Sequence, residues 1–140
     1  MKISHIALYV KDIEKVKEFY KKYFNAIENV KYHNVKTGLE TYFLSFQGSG
    51  TKLEIMTRPD IMTRPENMTN PDLQVSNRAD ISLGYIHLAI SLGTKAKVDE
   101  LTAKLKNDGY TVLSGPRITG DGYYESCVLD PDNNQIEITE

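Results

Sequence analysis

One short pattern, a histidine followed by alternating apolar residues, occurs once in each half of this chain. The stretch HIALYV begins at His5, and the stretch IHLAIS places His87 in the matching position 82 residues later. The stretches KLEI and QIEI repeat in the same way and place Glu54 and Glu137 83 residues apart. Both halves therefore carry the same order of histidine, helix, strands and glutamate. A duplication of this kind restricts the fold to two copies of one supersecondary unit.

Each half has the hydropathy periods of a βαβββ unit. In the first half, residues 3–10 alternate as a strand, and residues 12–25 place apolar side chains at helical spacing behind Asp12, a suitable N-cap. Residues 85–92 and 95–107 repeat this strand and helix in the second half. The other predicted strands lie within 27–36 and at 40–47, 51–57, 110–114, 123–129 and 135–139.

The length of 140 residues favours a single domain built from two modules. Module 1 covers about residues 1–57 and module 2 about residues 84–140. The connecting segment, about residues 58–83, holds three of the five prolines and is predicted to be a long loop. Loops of this length inside compact domains often carry binding residues.

Composition and charge exclude several classes of function. The net charge of −2 gives no basic footprint for nucleic acid, and no apolar run is long enough to span a membrane. The N-terminus lacks the architecture of a signal peptide, and the one cysteine, Cys127, has no intramolecular partner for a disulfide. These features favour a cytoplasmic location. Cys127 lies in an apolar strand and is predicted to fill the core.

Strand alternation places the repeated polar residues on one sheet face. Glu54 lies between Leu53 and Ile55, which point to the helix side, and Glu137 is flanked in the same way. Two imidazoles and two carboxylates on one surface form a suitable donor set for a divalent metal. The alternative is that all four residues are structural and that duplication merely copied them. Their repetition in register favours the metal site.

The motifs HIALYV, KLEIM, IHLAI and GYYESCVLDPDNNQIEI resemble those of the vicinal oxygen chelate superfamily, the glyoxalase/bleomycin resistance/dioxygenase family. The resemblance covers both halves and leaves out the connecting segment. It implies an α+β fold in which two βαβββ modules pair into an open, cup-shaped mixed sheet.

The resemblance also implies a function of glyoxalase I type. His5, Glu54, His87 and Glu137 match the four metal-ligand positions, for one divalent ion of the nickel, zinc or cobalt class. Glu54 and Glu137 are the candidate catalytic residues, which would move a proton between neighbouring carbons through an enediolate. The implied enzyme is a metal-dependent lyase or isomerase acting on an α-ketoaldehyde–thiol adduct, like lactoylglutathione lyase. The alternatives are an epimerase or thiol transferase on the same fold, or a small-molecule binding or resistance protein without turnover.

The substrate-binding residues differ from those of glutathione-using relatives. Tyr9 stands where such enzymes carry an arginine, and Arg58 stands near the position of an asparagine. Arg58 and Arg117 follow predicted strands near the expected cup and suit recognition of a carboxylate or phosphate. The expected partners are a small-molecule substrate, such as a thiol adduct, and a second copy of the chain in a homodimer. Neither nucleic acid nor a membrane is an expected partner.

Overall fold

The computed structural model describes residues 1–61 and 84–140. The chain divides into two compact units, Met1–Thr63 and Arg64–Glu140. The division falls within the connecting segment 58–83, of which only residues 58–61 are among the described residues. The assignment of the two modules to one domain stays a prediction.

The first unit holds one helix and one mixed sheet. In chain order its elements are β1 (His5–Tyr9), α1 (Ile13–Phe24), β2 (Ile27–Glu28), β3 (Tyr32–Asn34), β4 (Leu39–Ser45) and β5 (Lys52–Thr57). The sheet order is β1-β5-β4-β2, and β3 also pairs with β4. β1 runs parallel to β5, and the other pairs are antiparallel. This parallel pair brings the beginnings of β1 and β5 side by side.

Helix α1 forms where its apolar period predicts it. The Asp12 side chain accepts a hydrogen bond from the Lys15 backbone N–H, so Asp12 is the N-cap as predicted. Asn25 ends the helix in the left-handed conformation, at φ 52°. The buried side of α1 is rich in aromatic rings, and each fully buried ring stabilises the fold by roughly 1.5–3 kcal/mol. Its buried residues are Ile13, Val16, Phe19, Tyr20, Tyr23 and Phe24.

The segment 27–36 forms two short strands instead of one. Asn29 interrupts the segment, since its side chain accepts a hydrogen bond of 2.7 Å from the Phe43 N–H while its own N–H donates to the Phe43 carbonyl. An asparagine side chain here takes the place of a backbone carbonyl in the ladder. The strand resumes at Tyr32 and ends at Asn34, whose side chain accepts from the turn that follows. The first unit therefore has one more strand than predicted.

The second unit has the βαβββ order predicted for it. Its elements are β6 (His87–Ser91), α2 (Lys95–Asn107), β7 (Val112–Ile118), β8 (Tyr124–Leu129) and β9 (Gln135–Thr139). The sheet order is β6-β9-β8-β7, with β6 parallel to β9. Val98, Leu101 and Leu105 form the buried side of α2 together with Thr102. Gly109 follows the helix at φ 87°, a conformation that favours glycine.

Strand β7 is longer than the predicted strand 110–114. Gly115 and Pro116 lie within it, and register shifts flank Ser114 in its pairing with β8. β7 is the edge of its sheet, where proline and bulges are tolerated because a ladder partner is needed on one side only. The Gly-Pro pair therefore marks a bulged edge strand rather than the end of a strand.

Within residues 1–61 and 84–140, each unit packs one helix on a mixed sheet, which confirms the predicted α+β class. Neither α1 nor α2 is long and apolar enough to cross a membrane, and this holds for the described residues only. In both sheets the buried apolar residues of the central strands lie on the helix side, among them Leu53, Ile55, Ile136 and Ile138. The polar residues that alternate with them lie on the opposite face.

Candidate functional site

The first histidine–glutamate pair lies on the two parallel strands of the first unit. Ala7 is the direct partner of Glu54 in the ladder, so His5 reaches Glu54 diagonally from the start of β1. His5 Nε2 lies 3.5 Å from Glu54 Oε2, and the two side chains are 43% and 15% exposed. Ala7 contributes only a methyl group beside the carboxylate. The structure therefore brings these two sequence-predicted residues together.

Two residues of β4 contact this pair from the side. The Phe43 ring meets the His5 ring edge-on, with 5.4 Å between centroids and an interplanar angle of 87°. The Thr41 hydroxyl donates a hydrogen bond of 3.0 Å to Glu54 Oε1. Phe43 is the direct partner of Glu54 in the ladder, and Thr41 lies two residues before it on the same face. Sequence reasoning missed both, because only the strand register aligns them with Glu54.

The second pair has the same arrangement in the second unit. Ala89 is the ladder partner of Glu137, and His87 begins β6 as His5 begins β1. His87 Nε2 lies 3.1 Å from Glu137 Oε2, with the side chains 34% and 22% exposed. Each predicted histidine thus meets the glutamate of its own unit in the same register.

The strand beside Glu137 differs from its counterpart in the first unit. Cys127 is the ladder partner of Glu137, as Phe43 is of Glu54, and Glu125 occupies the position that Thr41 has on β4. Burial, followed by the charge of Glu137, raises the pKa of Glu125. Sequence reasoning missed Glu125 because nothing in the repeat marks it.

Cys127 was predicted to fill the core, but it is only partly buried. By alternation its side chain shares the sheet face of Glu137. Burial, followed by the charges of Glu137 and Glu125, raises the pKa of its thiol to about 11. The thiol is therefore protonated at neutral pH and is a poor nucleophile there.

The donor set and spacing of both pairs fit a divalent metal. Bond lengths of about 2.0–2.2 Å to imidazole nitrogen and carboxylate oxygen separate two ligand atoms on one ion by roughly 2.8–3.6 Å, for ligand angles between about 90° and 109°. The observed nitrogen–oxygen distances are 3.5 Å and 3.1 Å. Each pair supplies two donors, half of a four-ligand set. Within either unit, the described residues form no group of three or more histidine, cysteine, aspartate or glutamate side chains placed to hold a metal.

Tyr9 and Arg58, two of the predicted substrate-binding residues, meet in the first unit. The Asp60 carboxylate accepts two hydrogen bonds from Arg58, with 2.5 Å between Nε and Oδ1 and 2.8 Å between Nη2 and Oδ2. A hydrogen bond with Tyr9 adds to the effect of Asp60, and both raise the pKa of the guanidinium. By alternation Tyr9 shares the face of His5, about 13 Å along the strand. The carboxylate of Asp60 occupies the fork that an anionic substrate would use.

Arg117, the third predicted substrate-binding residue, belongs to the second unit. Its Nη1 donates a 2.8 Å hydrogen bond to Ser114 Oγ, and its Nη2 lies 3.9 Å from Glu125 Oε1. The Arg117 side chain is half exposed. These contacts place a guanidinium beside Glu125, two residues along β8 from the ladder partner of Glu137.

Comparison with known proteins gives a family match over almost the whole chain. The model of the Glyoxalase/Bleomycin resistance protein/Dioxygenase superfamily matches residues 2–138. Among curated proteins, the Bacillus subtilis (strain 168) protein named uncharacterized protein YqjT is 28% identical, over 97% of this chain and 96% of its own length.

Solved structures show the same fold at low sequence identity. The glyoxalase family protein from Enterococcus faecalis is 20% identical, with a TM-score of 0.73 over 99% of this chain and 97% of its own. The trypanothione-dependent glyoxalase I of Leishmania major is 19% identical, with a TM-score of 0.72 over 100% of this chain and 86% of its own. The fosfomycin resistance protein FosX from Listeria monocytogenes is 23% identical, with a TM-score of 0.69 over 99% of this chain and 91% of its own.

Proposed function

This chain belongs to the Glyoxalase/Bleomycin resistance protein/Dioxygenase superfamily, and from that premise we propose that it is a metal-dependent lyase or isomerase of glyoxalase I type. The proposed substrate is the adduct of an α-ketoaldehyde with a small thiol. The proposed metal ligands are His5, Glu54, His87 and Glu137, which would hold one divalent ion of the nickel, zinc or cobalt class.

The observation that carries the proposal is the matched geometry of the two pairs. A structural histidine needs one hydrogen-bond partner and places no demand on the other half of the chain. Here each histidine begins a strand and faces a glutamate on the parallel neighbouring strand. In both units the ladder partner of that glutamate is an alanine. Two such pairs complete the four ligands that a tetrahedral site requires, which neither pair does alone.

The roles of the four side chains follow from their chemistry. When bound, the metal supplies a Lewis acid that stabilises negative charge as it develops on the substrate oxygens. The imidazoles of His5 and His87 would hold the metal, and their Nε2 atoms face the glutamate in each pair. A carboxylate oxygen of Glu54 or Glu137 takes the proton from the hydroxyl-bearing carbon of the adduct and returns it to the neighbouring carbon, while the hydroxyl proton passes from the first oxygen to the second. The product is the thioester of a 2-hydroxy acid, with no net change in protons.

Binding of the thiol portion is assigned to Tyr9, Arg58 and Arg117. Arg117 has the weaker carboxylate contact, at 3.9 Å from Glu125, and so offers N–H groups to an anionic group of the substrate. Arg58 is paired with Asp60 through both arms, and Tyr9 adds a phenol beside it. Because Asp60 already pairs with the guanidinium, we expect Tyr9 and Arg58 to contact the substrate through neutral hydrogen bonds rather than through an ion pair.

The first test is metal binding by the purified protein. We expect about one divalent ion per set of four ligands, measured by elemental analysis after reconstitution with nickel, cobalt or zinc. A protein that takes up none of the three would contradict the proposed enzyme. It would favour a small-molecule binding protein instead.

The second test is turnover of the methylglyoxal hemithioacetals of glutathione, cysteine and coenzyme A by the metal-loaded protein. We expect thioester formation with at least one thiol and its loss after chelation. Metal binding without turnover of any adduct would exclude the lyase. An epimerase or thiol transferase on the same fold would then be tested next.

A further inference from the structure

Thr41 is the hydroxyl-bearing side chain that the structure places against the carboxylate of Glu54, whereas the Ser4 hydroxyl lies 3.1 Å from His5 Nδ1. Its Oγ1 lies 3.0 Å from Glu54 Oε1, and the residue is only 6% exposed. Glu54 Oε2 is the oxygen that faces His5. One oxygen of the Glu54 carboxylate therefore accepts a hydrogen bond from Thr41, and the other faces His5.

The hydroxyl of Thr41 has one proton and two acceptors within reach. The second acceptor is the backbone carbonyl of Ile55, at 3.1 Å. An ionised carboxylate is the stronger acceptor, because a charge-assisted hydrogen bond is roughly twice as strong as a neutral one. The proton is therefore directed to Glu54, and the buried position of Thr41 shields this bond from competition with water.

The second unit lacks this hydroxyl. The position matching Thr41 is Glu125, which carries a carboxyl group instead of a hydroxyl. Among the described residues, the polar contact within hydrogen-bond or ion-pair distance of Glu137 is His87. Two glutamates with similar sequence context therefore have different surroundings, because Glu54 accepts a hydrogen bond from a hydroxyl and Glu137 has a carboxyl side chain at the matching position of the neighbouring strand.

We propose that Thr41 is a positioning residue, which fixes Glu54 as a one-oxygen ligand and leaves Glu137 as the more mobile carboxylate. The inference rests on the proposed function for its role at a metal, but the positioning itself is a property of the metal-free protein. Residues that orient metal ligands typically change metal affinity by about 10–100-fold when removed. Thr41 would therefore make the two halves of a duplicated site unequal.

The test compares side-chain order and metal affinity in three variants. In metal-free protein, ¹³C relaxation should report a higher side-chain order parameter for Glu54 than for Glu137. Thr41→Val removes the donor at nearly constant shape, and it should lower the order parameter of Glu54 and weaken zinc binding by about 10–100-fold. Thr41→Ser keeps the hydroxyl and should retain both. Thr57→Val is the matched control, since that hydroxyl donates to the Lys11 carbonyl at 3.4 Å and lies on the opposite sheet face.

Two outcomes would overturn the inference. The first is wild-type protein in which Glu54 is no more ordered than Glu137, a measurement that needs no variant to fold. The second is a folded Thr41→Val protein with an unchanged order parameter for Glu54. If wild-type protein binds no metal, the proposed enzyme fails, and the order parameters still decide whether Thr41 positions Glu54.

Discussion

At the scale of single residues, the four predicted ligands have unequal surroundings. His5 packs against the Phe43 ring, and Glu54 accepts from Thr41. His87 and Glu137 have the closer contact, 3.1 Å against 3.5 Å, but Glu137 lies in the field of Glu125. Equal residue types at equal register can therefore have different roles, because each role depends on the neighbouring strand.

Truncation of the histidines should separate metal binding from folding. The side chains of His5 and His87 are 43% and 34% exposed and lie away from the helix-packed core, so their removal opens no large apolar cavity. We expect His5→Ala and His87→Ala to keep the wild-type circular dichroism spectrum and melting temperature while binding metal poorly in calorimetry. Wild-type metal affinity in both variants would make the histidines ordinary strand residues.

Replacement of the glutamates should separate metal binding from catalysis. Glu54→Gln and Glu137→Gln keep an oxygen that can bind a metal, but an amide cannot take a proton at neutral pH. At least one of them should lose about 10²–10⁴-fold in kcat, the usual value of general acid–base assistance. Elemental analysis should show that both retain more metal than the histidine variants do. Full turnover in both would exclude a carboxylate as the proton carrier.

Glu14 makes stability depend on pH at the acid end. Hydrogen bonds from Lys17 and Lys31 lower the pKa of its carboxyl from 4.5 to about 2. A carboxyl whose pKa is depressed by folding stabilises the native state above its unfolded pKa, and this contribution is lost as pH falls towards about 2. We expect Glu14→Gln to reduce the fall in unfolding free energy between pH 5 and pH 2, measured by urea titration. A pH dependence of the unfolding free energy that is unchanged in Glu14→Gln would contradict this prediction.

At the scale of elements, the turn between β8 and β9 sets the position of Glu137. The buried Asp130 accepts hydrogen bonds of 2.9 Å from the backbone N–H groups of Asp132 and Asn134 and from the Asn134 side chain. Asn133 adopts the left-handed conformation at φ 64° between them. The turn therefore fixes the point where β9 begins, two residues before Glu137.

Loss of the Asp130 side chain should destabilise the second unit. Asp130→Ala removes the acceptor of three hydrogen bonds at a buried position, where an unsatisfied donor costs about 1–3 kcal/mol. We expect an unfolding free energy lower by that order in chemical denaturation. Asp121→Ala, in the exposed turn between β7 and β8, should change it by no more than about 0.5 kcal/mol. Equal effects of the two substitutions would mean that the Asp130 bonds contribute nothing specific.

At the scale of the whole molecule, each of the two units carries one histidine–glutamate pair. The proposed site takes its four ligands either from the two pairs of one chain or from one pair of each of two chains. Both arrangements use the same residues. A measurement on mixed chains decides between them.

We expect a homodimer whose assembly is visible by light scattering at working concentration. A monomer would contradict this prediction. Mixing His5→Ala chains with Glu137→Ala chains should then locate the sites. If sites are shared between subunits, a mixed dimer contains one site with both lesions and one with neither, so activity is partly recovered. If each site lies within one chain, every site carries a lesion and the mixture stays inactive.

The sequence by itself determined the elements and the two pairs. Alternation at His5 and Glu54 and the helical period after Asp12 depend only on residues near in the chain, so α1, β1 and β5 were predicted within a few residues. The repeat predicted that each histidine has a glutamate in matching register. The predictions of one strand within 27–36 and of a strand ending at 114 were wrong in detail. Long-range pairing overrides the local pattern at Asn29 and at Gly115.

Only the tertiary structure decided which side chains lie beside the glutamates. Thr41 and Glu125 carry no mark in the sequence, because a lateral neighbour is set by the register between strands and a shift by one residue turns every side chain to the other face. The same holds for Cys127, whose apolar neighbours in the sequence predicted a core position. The β8–β9 ladder instead makes it the partner of Glu137, on the same sheet face. Local chain pattern determines which face a residue occupies, and hydrogen-bonded pairing across the sheet determines what it meets there.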